Sequence, residues 1–154
     1  MPIQNRSYIA IICPLELRAS NGFYVCHRKT KSLELTMASV ELQLFPNQTT
    51  ADLTYQHLRI RITAPQGIIE PSALTELTLP PLVGSQGIVL EGKAPIWLYS
   101  CLVHACHASV WVACFDPRLG DSRPQSGGAV VVTSHSLQVS VGQILTVYLP
   151  EEQR

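Results

Sequence analysis

Two apolar runs bracket a helix near the middle of the chain. QGIVLEG (86–92) leads through Lys93 to Pro95, which opens PIWLYSCLVHACHA (95–108), and VWVACF (110–115) follows. A strand, a helical crossover of this length and a second strand make a βαβ unit, and such a crossover obliges the two strands to run parallel. Both runs are apolar enough to be covered on two faces. The pattern predicts an α/β fold, Rossmann-like, with an open sheet around a parallel βαβ core. At 154 residues the chain has room for one good core, hence a single domain.

The flanking sequence adds strands to that core. ASVELQLF (38–45) alternates Val40, Leu42 and Leu44 against Glu41 and Gln43, the period of a half-buried strand. YQHLRIRIT (55–63) sets Leu58, Ile60 and Ile62 against Arg59 and Arg61, which read as the wet face of their strand. IIEPSALTELTLP (68–80) reads as a short helix stopped by Pro80 and Pro81, and GGAVVVTSH (127–135) and QILTVYL (143–149) as two more strands. Before Met37 the periodicity fades, and NGFYVCHRKTKSLELT (21–36) carries a small basic cluster of His27, Arg28, Lys29 and Lys31. Residues 1–36 therefore read as an N-terminal extension, either a disordered appendage or a mis-assigned start. Residues 37–150 read as the domain.

Charge excludes one broad class of function. Lys plus Arg equals Asp plus Glu at 11 each, so nothing marks a general nucleic-acid binder, and any RNA must be held locally. The five cysteines, Cys13, Cys26, Cys101, Cys106 and Cys114, are odd in number and lack framework spacing, which points to a reducing compartment. The short apolar run near the N-terminus is broken by Pro14 and lacks a small-residue cleavage site, and no run reaches the roughly 20 apolar residues of a membrane span. A cytoplasmic protein is expected.

In α/β sheets ligands collect outside the carboxyl ends of the strands, where loops meet helix N-termini. Gly92 and Lys93 stand at such a point, suited to an anion or equally to a plain turn. Asp116 and Arg118 follow the next strand, and His135 ends another, so all three strand ends are expected on one rim. Asp116-Pro is also good turn chemistry, and Arg118 could simply pair with Asp116. Ser100, His104 and His107 form a polar stripe on the helix, opposite a face of Ile96, Tyr99, Val103 and Cys106 expected to be buried. CLVHACH invites a zinc reading, but a helix cannot turn Cys106 toward the histidines, and a closed site wants four converging ligands.

GIVLEGKAPIWLYSCLVHACHASVWVACFDPRLG, followed by AVVVTSHS and VGQIL, resembles the CRISPR-associated ring nucleases of the third class. These are small stand-alone relatives of the CRISPR-associated Rossmann (CARF) sensor domains. The resemblance covers about residues 55–148, with GKAPIWLY and DPRLG its most specific parts. It implies a metal-dependent, usually manganese-dependent, homodimer that degrades the cyclic tetra-adenylate messenger of type III CRISPR complexes, or binds and trims short RNA 3′ ends. It implies too that dimers sandwich the ring, so that each scissile site draws on facing molecules. His107 matches the second histidine of HACH, Asp116 and Arg118 the charged pair of DPRLG, and His135 the histidine of SHS. By the same resemblance His107, Asp116 and Arg118 are catalytic, Gly92, Lys93 and His135 bind ligand, and His107 and Asp116 hold the metal. Two departures stand out: Lys93 replaces the family's usual arginine, which clamps phosphate bidentately where lysine cannot, and DSRPQSGG (121–128) reads as an inserted flexible loop beside the site.

Those side chains suit cleavage of RNA by its own 2′-hydroxyl, which needs a proton acceptor, a proton donor and a counter-charge for the phosphorane. Histidine, ordinarily titrating at about 6.5, serves proton transfer or metal ligation. A helix rise of about 1.5 Å per residue separates His107 from the helix N-terminus by roughly 20 Å, so His107 and Asp116 are expected to meet only between molecules. A non-catalytic binding module for cyclic oligoadenylate or an RNA 3′ end is the alternative on the same residues.

Overall fold

The computed structural model describes residues 39–121 and 123–151, so the N-terminal extension lies outside the described residues. Six strands form one mixed sheet in sequential order: β1 Val40–Thr50, β2 Leu53–Ile62, β3 Gly87–Gly92, β4 Trp111–Asp116, β5 Ser126–Ser134 and β6 Ile144–Tyr148. Strands β2, β3 and β4 are parallel, joined by long crossovers that carry the helices α1 Ala73–Glu76 and α2 Ile96–Ala105. Strands β1, β5 and β6 pair antiparallel, because their connections are too short for a crossover. No helix among the described residues is long and apolar enough to cross a membrane.

Alternation along the strands divides the core in two. Leu58 and Ile60 of β2, Ile88 and Leu90 of β3 and Val112 of β4 pack under Leu98, Leu102 and Cys106 from α2 and the loop after it, with Leu74 and Leu77 of the α1 region at the margin. Tyr55, Val89, Trp111, Ala113, Ala129, Val131, Leu145 and Val147 fill the other face. Among the described residues that second face carries no helix. The sheet instead curls over it until its edges approach and the Thr50 hydroxyl donates to the Thr146 carbonyl. The chain is thus mixed α/β in one sheet with parallel strands at its centre. It is a curled sheet covered by helices on one face, where an open Rossmann-like sheet was expected, because only two crossovers exist and both lie on the same side.

Two local expectations change. Helix α2 runs ten residues, Ile96–Ala105, between the Pro95 N-cap and the Cys106 C-cap, shorter than the run 95–108 read from the sequence, and Ile96 stands exposed. DSRPQSGG is not a loop throughout. Its last three residues begin β5, and a Cβ at Gly127 would lie 2.1 Å from the Phe115 ring. Asp121 and Arg123 form an ion pair, and the Arg123 guanidinium lies 4.7 Å over the Tyr148 ring.

Candidate functional site at the two ends of the sheet

The carboxyl ends of β3 and β4 bring Gly92, Lys93, Asp116 and Arg118 to one rim of the molecule. Gly92 has φ +141°, and a Cβ there would lie 2.2 Å from the Ile60 carbonyl oxygen, so only glycine fits against β2. Its own carbonyl accepts a 2.7 Å hydrogen bond from the Tyr99 hydroxyl of α2. This fixes the strand end from which Lys93 projects into solvent.

Asp116 and Arg118 close on each other. Asp116 Oδ1 accepts from the Arg118 backbone N–H at 2.9 Å, capping the single 3₁₀ turn Pro117–Leu119. The guanidinium donates to both carboxylate oxygens, from Nε to Oδ1 at 2.9 Å and from Nη2 to Oδ2 at 2.6 Å. Those bonds hold the Asp116 carboxyl down at about 2 and push Arg118 upward. The Arg118 side chain is 85% exposed and that of Asp116 23%, so the guanidinium presents its charge to water while the carboxylate is partly covered.

His135 lies at the other end. Strand β5 is antiparallel to β4, with Trp111 opposite Ser134, so its last residue returns to the end where β4 begins. This corrects the expectation of three strand ends on one rim. His135 there meets His107, which lies in the turn just beyond α2. Their ring centroids are 5.5 Å apart at 75°. His135 Nε2 is 3.2 Å from the His107 carbonyl oxygen. A carbonyl only accepts, so Nε2 donates, and Nδ1 takes no part in that bond. Five residue steps of β4, about 3.3 Å each, separate this pair from Asp116.

His107 and Asp116 therefore share no site within one molecule, and no group of three or more His, Cys, Asp or Glu side chains among the described residues is placed to hold a metal ion. Among the described residues, a single copy brings together no set of side chains that fits a manganese ion. Nor does zinc fit CLVHACH: Cys106 is 1% exposed and burial pushes its thiol up to about 11, while His104 stands exposed in the last turn of α2.

Arg59 and Arg61 do not share the wet face that alternation assigned them. Curling turns that face inward, leaving Arg61 exposed but Arg59 only 9% exposed. Arg59 Nε donates to Glu91 Oε2 at 2.7 Å and its Nη2 to the Pro150 carbonyl at 3.0 Å, with the guanidinium 5.0 Å over the Phe45 ring. His57, fully buried, lies 3.4 Å from the same carboxylate oxygen, and its Nδ1 has no partner among the described residues. Burial pushes the Glu91 carboxyl up, but the bonds from His57 and Arg59 outweigh it and hold it below its ordinary value. The register pairing Arg59 with Glu91 was the available signal, hidden until β2 and β3 are known to be neighbours.

Over 58 residues the chain is 48% identical to an uncharacterised protein of Aquifex aeolicus (strain VF5), a stretch that makes up 38% of this chain and 46% of that protein. The chain thus spans about half the length of the curated relative it matches. Residues 62–146 match the family described as CRISPR-associated protein (Cas_csx3), and they hold Gly92, Lys93, His107, Asp116, Arg118 and His135 alike. That match takes in more than half of the 154 residues, and the chain belongs to this family of CRISPR-associated proteins.

Proposed function

We propose that the chain is a cytoplasmic ring nuclease that cuts cyclic tetra-adenylate to linear di-adenylate and so damps type III CRISPR signalling. The observation that carries this reading is the division of chemistry between the ends of the sheet. One rim offers cations and a carboxylate held ionised at Asp116, and the other offers a histidine pair with an available ring nitrogen. A phosphodiester cut by its own 2′-hydroxyl needs both kinds of group, and facing copies would supply them together. In that arrangement Lys93 and Arg118 neutralise the phosphate, and His107 with His135 accept and return the proton. Homodimers that sandwich the ring fit the requirement. Manganese, if held by His107 of one copy and Asp116 of another, would supply Lewis-acid assistance.

Labelled ring incubated with the purified protein and manganese, with and without chelator, tests this. Linear di-adenylate that appears only with the metal is the expected result. Product in both samples removes the metal from the proposal, and tight binding with no product replaces the nuclease by a binding module for cyclic oligoadenylate or an RNA 3′ end.

A further inference from the structure

Strand β1 is an edge of the sheet, and its first half is unguarded. The Thr63 N–H donates to the Ser39 carbonyl at 3.1 Å, which makes these two a hydrogen-bonded pair. Antiparallel pairing alternates, and β1 stays in register from Val40 opposite Ile62 to Phe45 opposite His57. The backbone groups of Glu41, Gln43 and Phe45 therefore turn toward β2, and those of Val40, Leu42 and Leu44 turn away from it. Among the described residues nothing bonds to these outward groups. Edge strands are ordinarily blunted by lysine, proline or a bulge, but here Pro46 and the bulge come only after Phe45, and Glu41 is the sole charge in residues 40–45. The side chains of Val40, Leu42 and Leu44 lie on the helix-covered face, half-buried at the margin of the core around Leu58, Ile88 and Leu102. The opposite edge differs, since the Thr50 hydroxyl already meets the Thr146 carbonyl of β6.

We propose that β1 pairs edge to edge with β1 of a second copy, antiparallel and two-fold about Leu42. Val40 then lies opposite the partner's Leu44, and Leu42 opposite the partner's Leu42. Each such pair exchanges both its N–H···O bonds, so the outward groups of residues 40–44 are all met at once. Charge and chemistry select this register over its neighbours. Glu41 meets the partner's Gln43, whose amide donates to the carboxylate, whereas a two-fold at Glu41 would set two carboxylates directly opposite. A two-fold at Gln43 would set Val40 against the partner's Pro46, which has no N–H to give. The faces match as well: a two-fold axis normal to the sheet keeps both sets of helices on one side, and the apolar margins of the two cores join. Antiparallel pairing also turns the partner end for end, so the His107–His135 end of one copy comes to the same side as the Lys93, Asp116 and Arg118 end of the other. Only the bearing of that placement on cleavage rests on the ring-nuclease reading; the pairing does not.

Sedimentation velocity of the full chain, together with amide hydrogen exchange at single-residue resolution, tests the pairing. The paired stretch is short, so dissociation in the micromolar range is expected. Above that range the chain should sediment as a dimer with the Val40, Leu42 and Leu44 amides protected. On dilution below it those amides should exchange at least about tenfold faster, while Glu41 and Gln43, which donate to β2, stay protected throughout. Val40→Pro removes one outward N–H at the first residue of the strand, where proline is tolerated, and should weaken association at least about tenfold with a native unfolding profile. Leu42→Lys should weaken it further, and Val132→Lys, on the exposed side of β5, should leave it unchanged. A monomer at every concentration would overturn the proposal, as would a dimer that Val40→Pro leaves intact. Protection of Val40, Leu42 and Leu44 that dilution does not alter would overturn it too, by showing that the chain covers its own edge. Ring cleavage is scored separately: pairing through β1 without cleavage defeats the nuclease reading alone, and cleavage by a chain whose outward β1 amides are never protected defeats the pairing alone.

Discussion

Asp116 and Arg59 show how differently two ion pairs behave. The Asp116–Arg118 fork stands in water, and its effect is to keep a carboxylate charged across the whole range in which the protein would work. The folded-state value of about 2 lies below the ordinary 3.9, so the stabilising contribution is present above about pH 4 and is lost as pH falls through 2. Carboxyl carbon NMR of Asp116 should therefore titrate near 2 in the native protein and near 4 in Arg118→Ala, and equal midpoints would show that the fork does not exist in solution. Arg59 is the opposite case, since its loss strands Glu91 and His57 in a mostly buried setting. Arg59→Met should cost about 3 kcal/mol in urea unfolding, and adding Glu91→Leu should restore most of it. A single substitution that costs nothing would mean that water reaches Glu91 freely.

At the scale of elements, the end of β3 is the joint on which the rim depends. Gly92→Ala puts a Cβ into the Ile60 carbonyl at a φ that side chains rarely adopt, so it should destabilise by about 2 kcal/mol and displace Lys93, read as a lower unfolding midpoint together with weaker anion binding. Wild-type stability in that variant would argue against the β2–β3 register. The strands themselves were legible because period-two alternation in ASVELQLF and YQHLRIRIT, and continuous apolar runs in GIVLEG and VWVACF, mark extended segments with a core-facing side. Direction was not, although the means lay in the sequence: only nine residues part Asp116 from Ser126, too few for a crossover, and that count turns β5 around and sends His135 to the far end. Nor could alternation alone say that the arginine face of β2 would be enclosed. Enclosure follows from curl, which depends on how all six strands pair.

For the whole molecule, the consequence is a sheet with complementary ends. His107 and His135 mark one and Lys93, Asp116 and Arg118 the other, separated by the length of β4, so the proposed cleavage would draw on groups from two copies. Under the proposed ring-nuclease reading a copy's histidine end would face another's acidic and cationic end, and activity should depend on concentration wherever assembly is not saturated. The motifs themselves were readable from HACH, DPRLG and SHS, while their division between two ends required the fold. Mixing His107→Ala with Asp116→Ala protein tests the division most directly. Each alone should be inactive on cyclic tetra-adenylate, and the mixture should recover a part of wild-type activity, because some facing copies then join an intact His107 to an intact Asp116. A mixture as inactive as its components, while both variants still fold and bind the ring, would contradict a site completed between molecules.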